Sequence, residues 1–429
     1  MTAALIIVFV AVYTAIALEE PLRVNKSATA LVGAGLLWTI FALGAGDPLA
    51  VSQTLDDALV ETAQIAFFLM GAMTVVEVVD AHDGFTVITS RLRSRTLARL
   101  AVVISVLTFF LSAVLDNLTT TIVIVSLLKR LLRNHEDRLL LAGMTVIAAN
   151  AGGAWSPIGD VTTTMLWIGG QVTTSAIVTR LILPSFVCMI VPLGIVTWMV
   201  RGKPIVAPDH AAEPDEACGH STPFERNLMF TLGILALLAV PLFKAITHLP
   251  PFLGILFGLG IIWAVGDLIH RGKGDDEGQR VTIADVLTRI DMGAIVFFVG
   301  ILLAVATLEH AGVLGALARW LDHEIGRLDV IVLAFGLLSA VIDNVPMVAA
   351  AMGMYDLATH PPDSFLWEFL AYCTGTGGSI LIIGSAAGVA AMGAEKIGFL
   401  WYLRRFALLA LVGYVAGACI YALQDAILA

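Results

Sequence analysis

Charge is what this sequence has least of. Only 14% of its 429 residues are Asp, Glu, Lys or Arg, against 59% hydrophobic, and the mean hydropathy is +0.92. Soluble domains carry about 25% charged residues, so a water-soluble globule of this size is excluded, and with it a solvated enzyme or a disordered scaffold. The 24 basic residues are outnumbered by 34 acidic ones, and the formal net charge of −10 argues against nucleic acid as a partner. Cysteine is scarce as well. Cys188, Cys218, Cys373 and Cys419 show no CxxC or ligand spacing, which argues against a zinc site or a disulfide framework. No Lys or Arg precedes the first apolar stretch, 3–18, and no small-residue cleavage site follows it. It reads as a first transmembrane helix, without an N-terminal extension, rather than a secretory signal. The lipid bilayer is therefore the solvent for most of the chain.

Twelve apolar blocks stand out, at 2–18, 27–45, 61–81, 97–128, 139–168, 175–200, 227–247, 251–270, 290–308, 328–356, 365–394 and 398–424. A span needs about 20 residues, yet 97–128 and 328–356 are half as long again, and each is interrupted midway, by Asp116-Asn117 and by Asp343-Asn344. The first is bounded by Arg91, Arg93, Arg95 and Arg99 before it and Lys129, Arg130, Arg133 and Arg138 after it. Basic residues favour the cytoplasmic side, so both ends of that block are expected on one side, as a re-entrant hairpin. Parity then places both termini outside and the loops 201–226 and 271–289 inside. Of the basic residues, only Arg180, Lys244, Arg319 and Arg327 fall outside.

An internal repeat runs through this plan. Ser112-Ala113-Val114-Leu115-Asp116-Asn117-Leu118 recurs as Ser339-Ala340-Val341-Ile342-Asp343-Asn344-Val345, and Gly152, Gly153 and Gly159 recur as Gly377, Gly378 and Gly384. The expected fold is an all-α polytopic membrane protein of two inverted repeats, 1–203 and 227–429, joined by a cytoplasmic linker, 204–226. Each repeat carries a re-entrant hairpin (97–128 or 328–356) and a broken helix (139–168 or 365–394). Inverted repeats with interrupted helices mark the binding site of secondary transporters.

The breaks are legible locally. Gly152, Gly153, Pro157 and Gly159 cannot hold a regular helix, nor can Gly377, Gly378 and Gly384 with their neighbours. Around the breaks and tips stand Asp116, Asn117, Thr119, Thr120, Asn150, Ser156, Asp160, Thr162, Thr163, Asp343, Asn344, Thr376, Ser379 and Ser385, with no Lys or Arg in these segments. Three carboxylates at mid-membrane are expensive, and without a basic partner they call for a cation or a proton. An oxygen-only ligand set suits a hard cation rather than copper or zinc. Burial favours the neutral acid and a bound Na⁺ or Li⁺ the carboxylate, so one such group can exchange a proton for a metal ion.

Structural readings stand beside these. Asp-Asn at a tip can simply cap helix ends. Asp160, with Ser385 at its repeat position, is either the odd ionisable group or a cap, and Thr162-Thr163-Thr164 can serve the backbone. Glu61, Glu77 and Asp80 read as interfacial. His82, His135, His270 and His310 read as solvated, with pH sensing as the alternative.

The segments Asp116-Asn117-Leu118-Thr119-Thr120-Thr121, 148–164, Asp343-Asn344-Val345-Pro346 and 375–386 resemble the signature segments of NhaD-type bacterial Na⁺/H⁺ antiporters. These belong to the ion transporter superfamily, which also holds arsenite carriers and sodium-coupled dicarboxylate symporters. The resemblance covers essentially the whole chain. It implies Na⁺ or Li⁺ extrusion driven by proton influx with no cofactor, alkaline-favoured activity, the bacterial inner membrane, and a homodimer with scaffold and mobile transport regions. Its functional residues fall on Asp116, Asn117, Asn150, Asp160, Thr162, Thr163, Asn344, Ser379 and Ser385, with Asp116, Asn117 and Asp160 the expected Na⁺ ligands. A metalloid or carboxylate carrier and a channel remain as alternatives. An intramembrane aspartyl protease is more remote, because Pro157-Ile158-Gly159-Asp160 lacks the first glycine of that motif.

Overall fold

The computed structural model describes residues 1–17, 19–45, 47–89, 96–205, 222–270, 283–341 and 343–428. Arg91, Arg93, Arg95, Cys218, Ile342 and most of the loops 201–226 and 271–289 lie outside the described residues. Every regular element among the described residues is a helix, and one isolated bridge pairs Thr96 with Pro204. The order begins α1 (Thr2–Ala17), α2 (Glu19–Leu22), α3 (Lys26–Ala45), α4 (Pro48–Ala81), α5 (Thr86–Thr89), α6 (Leu97–Leu115), α7 (Asn117–Leu131), α8 (His135–Gly153), α9 (Val161–Ile168) and α10 (Thr174–Met199). It continues α11 (Pro223–Thr247), α12 (Pro251–His270), α13 (Ile283–Leu287), α14 (Met292–His310), α15 (Val313–Glu324), α16 (Leu328–Leu338), α17 (Asn344–Met354), α18 (Phe365–Gly377), α19 (Ala386–Glu395), α20 (Phe399–Arg405) and α21 (Ala407–Leu428).

Among the described residues, eight helices are long and apolar enough to cross a membrane: α3, α4, α6, α10, α11, α12, α14 and α21. Six are single apolar blocks, α6 is the first arm of the block 97–128, and α21 follows the short α20 within the block 398–424. The blocks 139–168 and 365–394 are divided, into α8 with α9 and α18 with α19. The helices fall into two packed groups. In one, α3 lies along α14, and α4 along α11 and α12; in the other, α10 lies along α21, α6 along α8 and α16 along α18. The groups meet where α14 touches α17, α4 touches α9 and α11 touches α6.

Some boundaries differ from the sequence reading. The block 61–81 extends back to Pro48, because Asp47 caps the helix by accepting from the Leu49 and Ala50 amides and Pro48 suits the first turn. Glu61 therefore sits within a 34-residue helix rather than at its end. The amphipathic α15, absent from the apolar blocks, carries an exposed Trp320 and suits an interfacial position. His82 is buried rather than solvated, its Nδ1 2.7 Å from the Val78 carbonyl.

The two breaks are built alike. Ser112 donates to the Ala149 carbonyl (2.6 Å), and Ser339 to the Thr374 carbonyl (3.4 Å). Gly159 lies against Ser112 and Ala113, and Gly384 against Ala340. A Cβ on Gly159 would come within 2.7 Å of the Ser112 carbonyl oxygen, and one on Gly384 within 2.6 Å of the Ala340 carbonyl oxygen. Backbone cannot yield as a flexible side chain does. Gly159→Ala and Gly384→Ala should each cost about 1–3 kcal/mol, read as a lower melting temperature in detergent. Gly194→Ala, where nothing lies within 4 Å, should leave the melting temperature unchanged or higher.

Candidate ion site

Both helix-pair tips and both breaks converge on one point, and the caps show how. Asp116 ends α6 and caps α7, accepting from the Thr119 amide (2.8 Å) and the Thr119 hydroxyl (2.9 Å). Asp160 caps α9 by accepting from the Thr162 amide at 2.8 Å and the Thr162 hydroxyl at 2.7 Å. Asp343 caps α17 through the Val345 amide, and Ser385 caps α19 through that of Gly388. Four helix N-termini thus meet here, each carrying a partial positive charge of roughly half a unit. Those termini help a carboxylate remain in a water-poor setting. Capping and ion binding are therefore not exclusive readings of these residues.

A buried hydrogen-bond network joins the four elements. Asn117 Nδ2 donates to Asn150 Oδ1 (3.0 Å) and to Asp160 Oδ2 (2.5 Å). Asn150 Nδ2 donates onward to the hydroxyls of Ser379 (2.9 Å) and Ser385 (2.8 Å). Asn344 Nδ2 lies 3.5 Å from Asp160 Oδ1. Every member of this set is buried, and buried polar groups of this kind are held by mutual satisfaction. Asp116 backs the network from a strained position. Its φ of 94° and ψ of 161° fall in a region almost confined to glycine, and its two bonds to Thr119 hold it there.

Asp116, Asn117, Asp160, Asp343 and Asn344 line a cavity of about 390 Å³ that also reaches Glu19, Lys26 and Asp291. Other expected site residues serve the backbone instead. Thr163 donates to the Ser156 and Asp160 carbonyls and Thr164 to that of Pro157, so these hydroxyls supply partners that the broken helix loses, while Ser156 donates to the Ala113 carbonyl near the end of α6 and ties the break to that helix. Thr376 donates to Tyr372 within its own helix. Thr119 serves Asp116 alone among the hydrogen bonds described.

The expectation of three carboxylates without a basic partner is corrected at one of them. Lys26 Nζ lies 3.3 Å from Asp343 Oδ2. The lysine starts α3, far from every interrupted segment, so no local pattern could reveal it. Among the described residues, no Lys or Arg lies within salt-bridge distance of Asp116 or Asp160, and no cluster of His, Cys, Asp and Glu suits a resident metal. Tyr402 was also missed; its hydroxyl donates to the Ser379 carbonyl at 2.8 Å and braces the second break.

Interrupted helices that bring carboxylates and buried amides to one cavity define a membrane ion transporter rather than an enzyme. The citrate transporter family profile, CitMHS, matches residues 9–375, and the chain belongs to that family. It is 48% identical over 412 residues to sodium/proton antiporter 1 of Arabidopsis thaliana, covering 95% of this chain and 70% of that one. It is 30% identical over 453 residues to the Na⁺/H⁺ antiporter NhaD of Vibrio cholerae, covering 98% and 91%. The fold is similar to the crystal structure of the Alcanivorax borkumensis YdaH transporter, with a TM-score of 0.60, 14% identity and coverage of 94% and 99%.

Removing the central amide tests the network. Asn150→Ala should cut transport at least tenfold while the purified protein still elutes as a single folded species. Near-normal turnover in that variant would mean the network is not part of the site.

Proposed function

We propose that the chain is a secondary transporter that exchanges cytoplasmic Na⁺ or Li⁺ for external protons by alternating access. The observation that carries this is the Asp116 and Asp160 pair, lining one cavity among oxygen and amide groups with no salt-bridged Lys or Arg among the described residues. Relatives named sodium/proton antiporters support it. The proposed ion site comprises Asp116, Asn117, Asn150, Asp160, Thr162, Asn344, Ser379 and Ser385, with Thr119 and Thr163 in support.

The family description raises the question of citrate, and the geometry weighs against it. Helix N-termini hold anions through free N–H groups, but the amides of Thr119, Thr162 and Val345 already point at Asp side chains. A tricarboxylate would meet the carboxylates of Asp116, Asp160 and Asp343 in this cavity, where the Lys26 ammonium is already paired with Asp343. A hard cation meets the ligands it prefers.

The proposal extends to architecture. The equivalent contacts made by Ser112 and Ser339, and by Gly159 and Gly384, each within its own half, support two inverted repeats, 1–203 and 227–429. The division into two packed groups supports a unit of hairpins and broken helices moving past the remainder. The re-entrant hairpins, a homodimer, residence in the bacterial inner membrane and external termini belong to the same proposal.

In everted vesicles from antiporter-deficient cells, Asp116→Asn and Asp160→Asn should each abolish Na⁺-induced dequenching of a ΔpH dye. Normal dequenching in both variants would overturn the site. Citrate or arsenite flux without Na⁺/H⁺ exchange would overturn the function.

A further inference from the structure

Lys26 occupies a place that helix stability does not explain. It is the first residue of α3, where a positive charge opposes the helix dipole. Its position is set by the scaffold. Its backbone N–H donates to Glu19 at 3.1 Å, and the next residue, Ser27, donates to the Gly293 carbonyl at 2.7 Å, tying the start of α3 to α14. The ammonium stands 4.6 Å from the ring centroid of Phe297 on α14 and 3.3 Å from Asp343 on the opposite group of helices. The pair is partly exposed, with side-chain accessibilities of 29% and 16%, and such a pair contributes little to stability. Yet it lines the same cavity as Asp116 and Asp160.

We propose that Lys26 is a tethered cation of the transport site. It occupies Asp343 and leaves Asp116 and Asp160 as the carboxylates available to the transported ion. The inference rests on the exchange reading above and deepens it by assigning a positioning role to a residue outside the interrupted segments. It also accounts for the unequal tips, since Asp116 has no such partner among the described residues. Removing the ammonium would return a third carboxylate to the cavity and strengthen cation binding. Removing Asp343 would leave the ammonium unpaired beside the site and weaken it.

The test is the half-saturating Na⁺ concentration for exchange in proteoliposomes, separated from the maximal rate, at one fixed pH. Lys26→Gln should lower the half-saturating concentration roughly three- to tenfold and Asp343→Asn should raise it by a similar factor. The double variant K26Q/D343N, which restores the original charge, should return to within about twofold, and Lys26→Arg should hold the original half-saturation. A merely structural lysine gives another pattern: lower maximal rates in Lys26→Gln and the double variant, with half-saturation unmoved. That result overturns the inference while leaving the exchange reading intact. Asp343→Asn, which retains the lysine, provides a second arm if Lys26→Gln fails to insert, and an unmoved half-saturation there overturns the inference as well. Absence of Na⁺/H⁺ exchange in the unsubstituted protein overturns both.

Discussion

The site depends on one amide. Asn117 Nδ2 sits between Asn150 Oδ1 and the Asp160 carboxylate, and so binds the junction of α6 and α7 to both sides of a broken helix. Asn150 then passes the connection to Ser379 and Ser385 in the other half of the chain. Mid-membrane backbone freed by a break must be satisfied inside the protein. Here the hydroxyls of Thr163 and Thr164 meet part of that demand on one side. The carboxylates and amides are thereby left to face the cavity. Rigidity at the breaks and chemistry at the tips come from different residues of the same short segments.

The same arrangement shows how a carboxylate can persist where lipid makes it costly. Asp116, Asp160 and Asp343 each terminate a helix at its positive end. The positive helix ends offset the negative charge, and each cap takes up a first-turn N–H group that an anion would seek. Helix N-termini that would by themselves suit an anion therefore present carboxylates to the cavity. The strained backbone of Asp116 is the local cost of aiming its carboxylate from a one-residue junction between two helices.

Much of this was legible in the sequence because its signals are local. Asp116-Asn117, Asp343-Asn344 and the glycines around Pro157 interrupt apolar runs, and interruption of an apolar run needs no tertiary knowledge to detect. The helix that begins at Pro48 was half missed because its first turns carry Asp56, Asp57 and Glu61 and do not read as apolar. The α15 helix was missed for the same reason, its apolar face being only one stripe of an amphipathic pattern. Lys26 was beyond sequence reasoning altogether, since its partner lies 317 residues away and the packing of α3 on α14 brings them together. Thr163 and Thr376 have the composition of ligands, but their hydroxyls turn to the backbone, a choice made by local geometry rather than by residue type.

The central claim is that this cavity couples a hard monovalent cation to protons. Flux measured in proteoliposomes with an imposed pH gradient, with Na⁺, Li⁺, K⁺ and citrate compared, tests it most directly. The account predicts saturable Na⁺ or Li⁺ movement that dissipates the gradient, with K⁺ and citrate inert. Flux that rises linearly with Na⁺ and ignores the proton gradient, or citrate movement in place of cation exchange, would contradict it.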